Sequence, residues 1–196
     1  MSNYNLNDKE TNIISKVIRY IKKFEGTPYK RYTSSKGPTK DCSPFWIENK
    51  TPPPVDIIKK KGLVCVGLAN LARRHVGLEV PGNITKMKKY EFIGGTGAWF
   101  SYLKKTKRLE KIDFDKVYSK GTLLLHDYNP KDQGHVAITI NSSKKGLLHS
   151  KIIHAIHGTW DGKKYNSTVI EKLIDYPIIK DIHMYAYHKI GYSKIK

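Results

Sequence analysis

Four side chains in this sequence could do covalent or metal chemistry: Cys65, Cys42, His135 and His154. Cys65 stands in "GLVCVGLANLARR", where an apolar run passes into helical spacing; Cys42 stands in "KDCSPFW", ahead of Pro44 and with no helical stripe after it. His135 opens the alternating stretch "GHVAITIN", and His154 sits inside "KIIHAIHG". Three chemistries are open to such a set. The thiols and imidazoles could ligate zinc, but no C-x-x-C or H-x-x-x-H pair supports that, so neither a metal nor a cofactor is expected. They could be core filling. Or one thiol could be a nucleophile with an imidazole base and a second imidazole to orient it.

Position favours Cys65 over Cys42 for the last role. Unpaired N–H groups and the macrodipole at a helix start favour a thiolate, and the same N–H groups can bind an oxyanion. His135 follows Gly134 and shares its strand face with Ala137 and Thr139, small residues that predict room for a groove. His154 is flanked by Ile153 and Ala155, so a buried imidazole there requires a polar partner.

The elements that must position these residues can be read from spacing. Ile13, Ile14, Val17, Ile18 and Ile21 predict an amphipathic helix over 8–24, ended by Gly26 and Pro28. Residues 30–61, with Gly37, Pro38, Pro44 and Pro52-Pro53-Pro54, read as an irregular insertion loop at about 31–61. A second helix is predicted over 64–76, with Cys65, Leu68, Ala69, Ala72 and Val76 on its buried stripe and Arg73, Arg74 and His75 facing elsewhere. A short helix at about 98–106 follows, and then strands at 121–128, 134–141, 151–158 and 182–190. Helices first and antiparallel strands after predict an α+β fold, read as one domain over residues 1–196.

The chain has 196 residues, of which 39% are hydrophobic, and a formal net charge of +19. A chain of this length buries roughly 70% of its unfolded surface, so it needs no staples. The lysine excess predicts contact with polyanions such as nucleic acid, anionic wall polymers or membrane surfaces; the alternative is a solvated, lysine-biased surface. No nucleic-acid-binding motif accompanies the charge. No apolar run approaches the ~20 residues of a membrane span, and "MSNYNLNDKE" lacks the pattern of a secretory signal. The expectation is a cytoplasmic or virion-associated protein with free thiols.

"CVGLANLARRHVGLEVP" resembles the nucleophile motif of the NlpC/P60 cysteine peptidase family, in which C-S-G-L opens a helix that ends in a G-[IL]-x-[LVI]-P turn. Cys65, Gly67, Leu68, Gly77, Leu78, Val80 and Pro81 match in register. "FEGTPYKRY" resembles the family's G-x-P-Y segment and sets Tyr29 at the tyrosine that lines its active site. "KGTLLLHD" resembles its G-D-L strand, with Thr122 in place of Asp, and "GHVAITI" and "IIHA" resemble the strands that carry its histidine and its third polar residue. The motifs span residues 25–156 in the unpermuted order. The related CHAP amidases are a close second, because "GAWFSYLKKTKRLEK" is similar to their W-x-x-x-A segment.

The resemblance implies a papain-like NlpC/P60 fold, with N-terminal helices packed on a central antiparallel sheet. It also implies a Cys65-His135-His154 triad that cleaves an amide through a thioester, with the oxyanion met by the Cys65 N–H beside Tyr29. The implied substrate is a peptidoglycan stem peptide or a related isopeptide. Where the family has Asp and Ser around its cysteine, this chain has Val64 and Val66. Two valines cannot pair with an ammonium, so they are expected to contact a more apolar or longer acceptor. Cys42, in "DCS", is a decoy for that motif. The other function left open is a basic polyanion-binding or structural protein on the same fold, with a silent thiol.

Overall fold

A computed structural model of the chain describes residues 8–30, 33–34, 37–38, 52–81, 94–126, 134–160, 162–176 and 184–187. Cys42 and residues 39–51 of the expected insertion lie outside them. Helix α1 (Asp8–Ile21) buries Ile14, Val17, Ile18 and Ile21 along one face, and a 3-10 turn, Lys22–Phe24, adds Phe24. The chain then runs extended along the sheet. Gly26 N–H donates to Thr168 O at 2.8 Å, and Tyr29 N–H donates to Asn166 O at 2.9 Å.

The segment expected to be irregular holds regular structure. Strands β1 (Thr33–Ser34) and β2 (Gly37–Pro38) form a small hairpin, and α2 covers Val55–Lys61. Pro54 caps α2 in an extended conformation, Asp56 lies in its first turn, and Lys59, Lys60 and Lys61 fill its last. That charge order complements the helix dipole. Ile58 is its buried residue, too little for a periodic signal in the sequence. Gly62 ends α2 with φ +89° and presses the chain against residues 28–30. Leu63 N–H donates to Pro28 O and Lys30 N–H to Leu63 O, which bridges Leu63 to Tyr29 in parallel.

Helix α3 (Cys65–His75) starts two residues later and is buried at every position from Cys65 to Arg73. It packs against α1 and against the later strands β5 and β6 (Val136–Thr139 and Lys151–Trp160). Arg73, expected to face outward, is 0% exposed. Its Nε donates to Glu79 O at 2.6 Å and its guanidinium lies 5.9 Å over the Trp99 ring. Asn70 donates to Gly94 O and accepts from Trp99 Nε1 at 2.8 Å, which ties α3 to α4 (Thr96–Lys105). A helix enclosed on so many sides has no polar stripe from Cys65 to Arg73, and its two fully buried polar residues, Asn70 and Arg73, survive burial because each finds a partner.

The remaining strands are β3 (Glu110–Lys111), β4 (Leu123–His126), β7 (Lys163–Lys172) and β8 (Met184–Tyr187). The main sheet has six strands in the order β3-β8-β4-β5-β6-β7, every pair antiparallel. The mixed helix and antiparallel-sheet class therefore matches the α+β expectation. The four expected strands appear as β4, β5, β6 and β8, and the short β3 and the long β7 are two that spacing did not predict. Alternation divides the sheet. Leu123, Leu125, Val136, Ile138, Ile153 and Ala155 face α1 and α3. Leu124, Ala137, Ile152 and Ile156 face a second cluster with Leu147, Leu173 and Tyr176. Among the described residues no helix is long and apolar enough to cross a membrane.

A Cβ at Gly62 would stand 2.8 Å from Pro28 O and 2.7 Å from Lys30 Cβ, on a backbone that L residues rarely adopt. Gly62→Ala is expected to lower unfolding free energy by about 1–3 kcal/mol. Gly67→Ala, inside α3 with its nearest neighbour at 3.6 Å, is expected to be neutral or to gain up to ~1 kcal/mol. Urea denaturation of the two variants checks the contrast.

Candidate active site

His154 is fully buried on β6, and strand alternation sets it on the face away from α3, with Ile152 and Ile156. Ile138 pairs with Ile153, so the next rung places Ala137 beside His154. The small Ala137 side chain leaves space on that face, and His135, two residues earlier, enters it. His135 Nε2 lies 3.0 Å from His154 Nδ1. On the other side, Ile152 pairs with Glu171 of β7, which puts Glu171 on the same face and diagonal to His154. Glu171 Oε1 is 2.7 Å from His154 Nε2. The polar partners that a buried His154 requires are thus supplied by the strands on both sides of it.

Two aromatic rings close over this chain of contacts. Tyr176, just past the 3-10 turn Leu173–Asp175, stacks on His135 with centroids 5.6 Å apart and meets His154 edge-on at 5.0 Å. His126 ends β4, its N–H donates to His135 O, and its ring lies 5.3 Å from that of His135. The groove expected over Ala137 and Thr139 is therefore filled, because both are buried beneath the second apolar cluster or beside it.

Burial holds His135 well below the ordinary imidazole range, with charge on His154 and then on His126 counting further against its protonation. Burial, and then His154, pushes His126 down to about 3. Near neutral pH both rings are uncharged, and a neutral ring can accept a proton.

Cys65 is the first residue of α3; Val64 before it is extended and offers no side-chain cap, so the first-turn N–H groups meet no side chain from that residue. The cysteine is 7% exposed and lies in the helix-covered cluster with Val136, the neighbour of His135. Register brings the two regions to one end of the sheet. β5 runs antiparallel to β6, so it starts at the end where His157 lies. His157 pairs with Asn166, Asn166 O accepts from Tyr29 N–H, and Tyr29 bridges Leu63 just ahead of Cys65.

The structure thus brings His135 and His154 into contact and sets Cys65 at the same end of the sheet, packed on the opposite face. Tyr29 is half-buried against that helix-covered cluster and stacks on His157 with centroids 5.5 Å apart. Val64 and Val66, expected to touch substrate, are 4% and 1% exposed core residues. They pack beneath the helix start, beside a Cys65 that is itself 7% exposed. Among the described residues no three His, Cys, Asp or Glu side chains converge as a metal site.

Glu171, His126 and Tyr176 were not read from the sequence. The available signal was "WDGK": Asp-Gly between two runs marks a two-residue hairpin turn, and Trp160 does pair with Lys163. Extending β7 from that turn places Glu171 two rungs from His154, on the same face.

As pH falls below the ordinary histidine value of 6.5, the unfolded chain binds a proton at His126 that the fold resists until about 3. Stability is full above that window and is expected to fall by roughly 1.4 kcal/mol per pH unit for this group as acid is added. His126→Phe should flatten the slope in urea titrations between pH 7 and 4.5; an unchanged slope would assign the acid sensitivity elsewhere. Compared with models of known protein families, the chain matches none. No curated protein sequence matches it either.

Proposed function

We propose that this chain is a thiol-dependent amidohydrolase or peptidase of NlpC/P60 type, on a papain-like arrangement of helices and sheet. The observation that carries the reading is the contact between the half-buried His135 and the fully buried His154. It joins two residues 19 apart in sequence, one just ahead of β5 and one within β6, at the end of the sheet where the α3 N-terminus carries Cys65. In this reading Cys65 passes its thiol proton to His135 and attacks an amide carbonyl carbon. The tetrahedral oxyanion forms at the first turn of α3, whose backbone N–H groups favour negative charge. His135 returns the proton to the leaving amine as the C–N bond breaks, leaving a thioester on Cys65. Water, deprotonated by His135, then attacks the thioester, and the carboxylate departs as the thiol is restored.

His154 holds the His135 ring in place, and Tyr29 flanks the helix start. The substrate class that fits is a peptide or a peptidoglycan-like stem peptide. Valines flank Cys65, so no carboxylate or hydroxyl stands there to hold a free amino terminus. The exposed Lys59, Lys60 and Lys61 at the end of α2 suit an anionic polymer attached to that peptide.

The test is iodoacetamide labelling near pH 6, read peptide by peptide on wild type, Cys65→Ala and His135→Ala. Cys65 is expected to react at least tenfold faster than Cys42, and His135→Ala to abolish that advantage. Hydrolysis of peptidoglycan fragments is expected to vanish in both variants. Slow, equal labelling of the two thiols in wild type would overturn the nucleophile assignment.

A further inference from the structure

We infer that Glu171 is a positioning residue that fixes which nitrogen of His135 is the base. The inference rests on the Cys65–His135 reading for its catalytic meaning, but its geometry stands alone. A carboxylate only accepts hydrogen bonds. With Glu171 Oε1 at 2.7 Å, His154 Nε2 must carry its proton. In the neutral ring His154 Nδ1 is then an acceptor. His135 Nε2, 3.0 Å away, must therefore be the donor. A neutral His135 is left with its lone pair on Nδ1, the one ring nitrogen able to take a proton.

Without Glu171 this polarity has no source. His154 could carry its proton on Nδ1 and donate it to His135 Nε2, and neutral His135 would then hold its proton on Nδ1 and lose its base. Glu171 acts in the charged state as well. When His135 becomes imidazolium, its Nε2–H points at a His154 nitrogen whose far side rests on a carboxylate, so positive charge is stabilised through the intervening ring. The burial that keeps His135 neutral at rest is thereby offset at the step that needs it charged. The polarity of both bonds depends on β7, whose register with β6 sets Val169 opposite His154 and Glu171 two rungs away on the same face.

The experiment is ¹⁵N correlation spectroscopy of the histidine rings at pH 7.5 in wild type, Glu171→Gln and Glu171→Met, with Cys65 labelling rates on the same samples. Wild type is expected to show His135 and His154 both protonated at Nε2. Glu171→Gln keeps an acceptor oxygen and should retain that tautomer while labelling Cys65 several-fold more slowly. Glu171→Met should give mixed or reversed tautomers and at least a tenfold slower label. Protonation at Nδ1 of either ring in wild type overturns the inference, whether or not the variants fold. So does a folded Glu171→Met protein with both rings unchanged. A tautomer pattern that follows Glu171, in a protein whose Cys65 labelling ignores His135→Ala, would keep the inference about the rings and overturn the proposed function instead.

Discussion

A fully buried imidazole in the middle of an apolar strand constrains everything around it. His154 has two ring nitrogens, and neither can be left without a partner in a site of low dielectric except at a cost of about 1–3 kcal/mol. β5 and β7 supply one partner each, through His135 and Glu171. That requirement pins the register of three adjacent strands. A slip of one residue would turn His154 toward α3 and take Glu171 to the other face, because side chains alternate strictly along a strand. The apolar alternation of Ile152, Ile153, Ala155 and Ile156 specifies the same register. Polar and apolar requirements therefore agree, and that agreement is what gives a single well-defined pairing.

Helix α3 is held by a different logic. It packs against both α1 and the sheet, and α4 is tied to it through Trp99. Its buried polar residues are tied off individually, Asn70 between Gly94 and Trp99 and Arg73 onto Glu79. A helix fixed in this way cannot shift its first turn without breaking contacts along its length. The Leu63 bridge to Tyr29 fixes the entry of the chain as firmly as the core fixes the rest. The helix start that carries Cys65 is therefore rigid, and Val64 and Val66 add to that rigidity by packing in the core.

The legible parts of the sequence were those with a strong local period. Five apolar residues at helical spacing gave α1, and alternation gave β5. Cys65 was placed at a helix start because the apolar run, the Gly-Leu step and the terminating Gly77 are all local signals. The parts that were not legible depend on contacts distant in sequence. α2 buries only Ile58. β7 is half-covered, so Tyr165 and Thr168 are buried out of step with a two-residue period. Arg73 reads as a surface residue until Trp99 and the Glu79 carbonyl are placed around it. Glu171 has no local signature as a partner of His154; its role exists only once β6 and β7 are paired.

The division of the sheet into two faces explains why the candidate centre stands where it does. Cys65 belongs to a helix on one face, and the imidazole chain belongs to the other, so within the body of the sheet the two are separated by the backbone itself. They can approach only where the sheet ends. His135 immediately precedes the first residue of β5, after Gly134 with φ +67°, and Cys65 is the first residue of its helix. Both are terminal positions, one on each layer, and both are reached through turns that depend on glycines at positive φ, Gly62 and Gly134. A site at such a junction takes its precision from the two layers: Cys65 and His135 stand at element ends, while His154 and Glu171, joined to His135 in one chain of contacts, lie within strands.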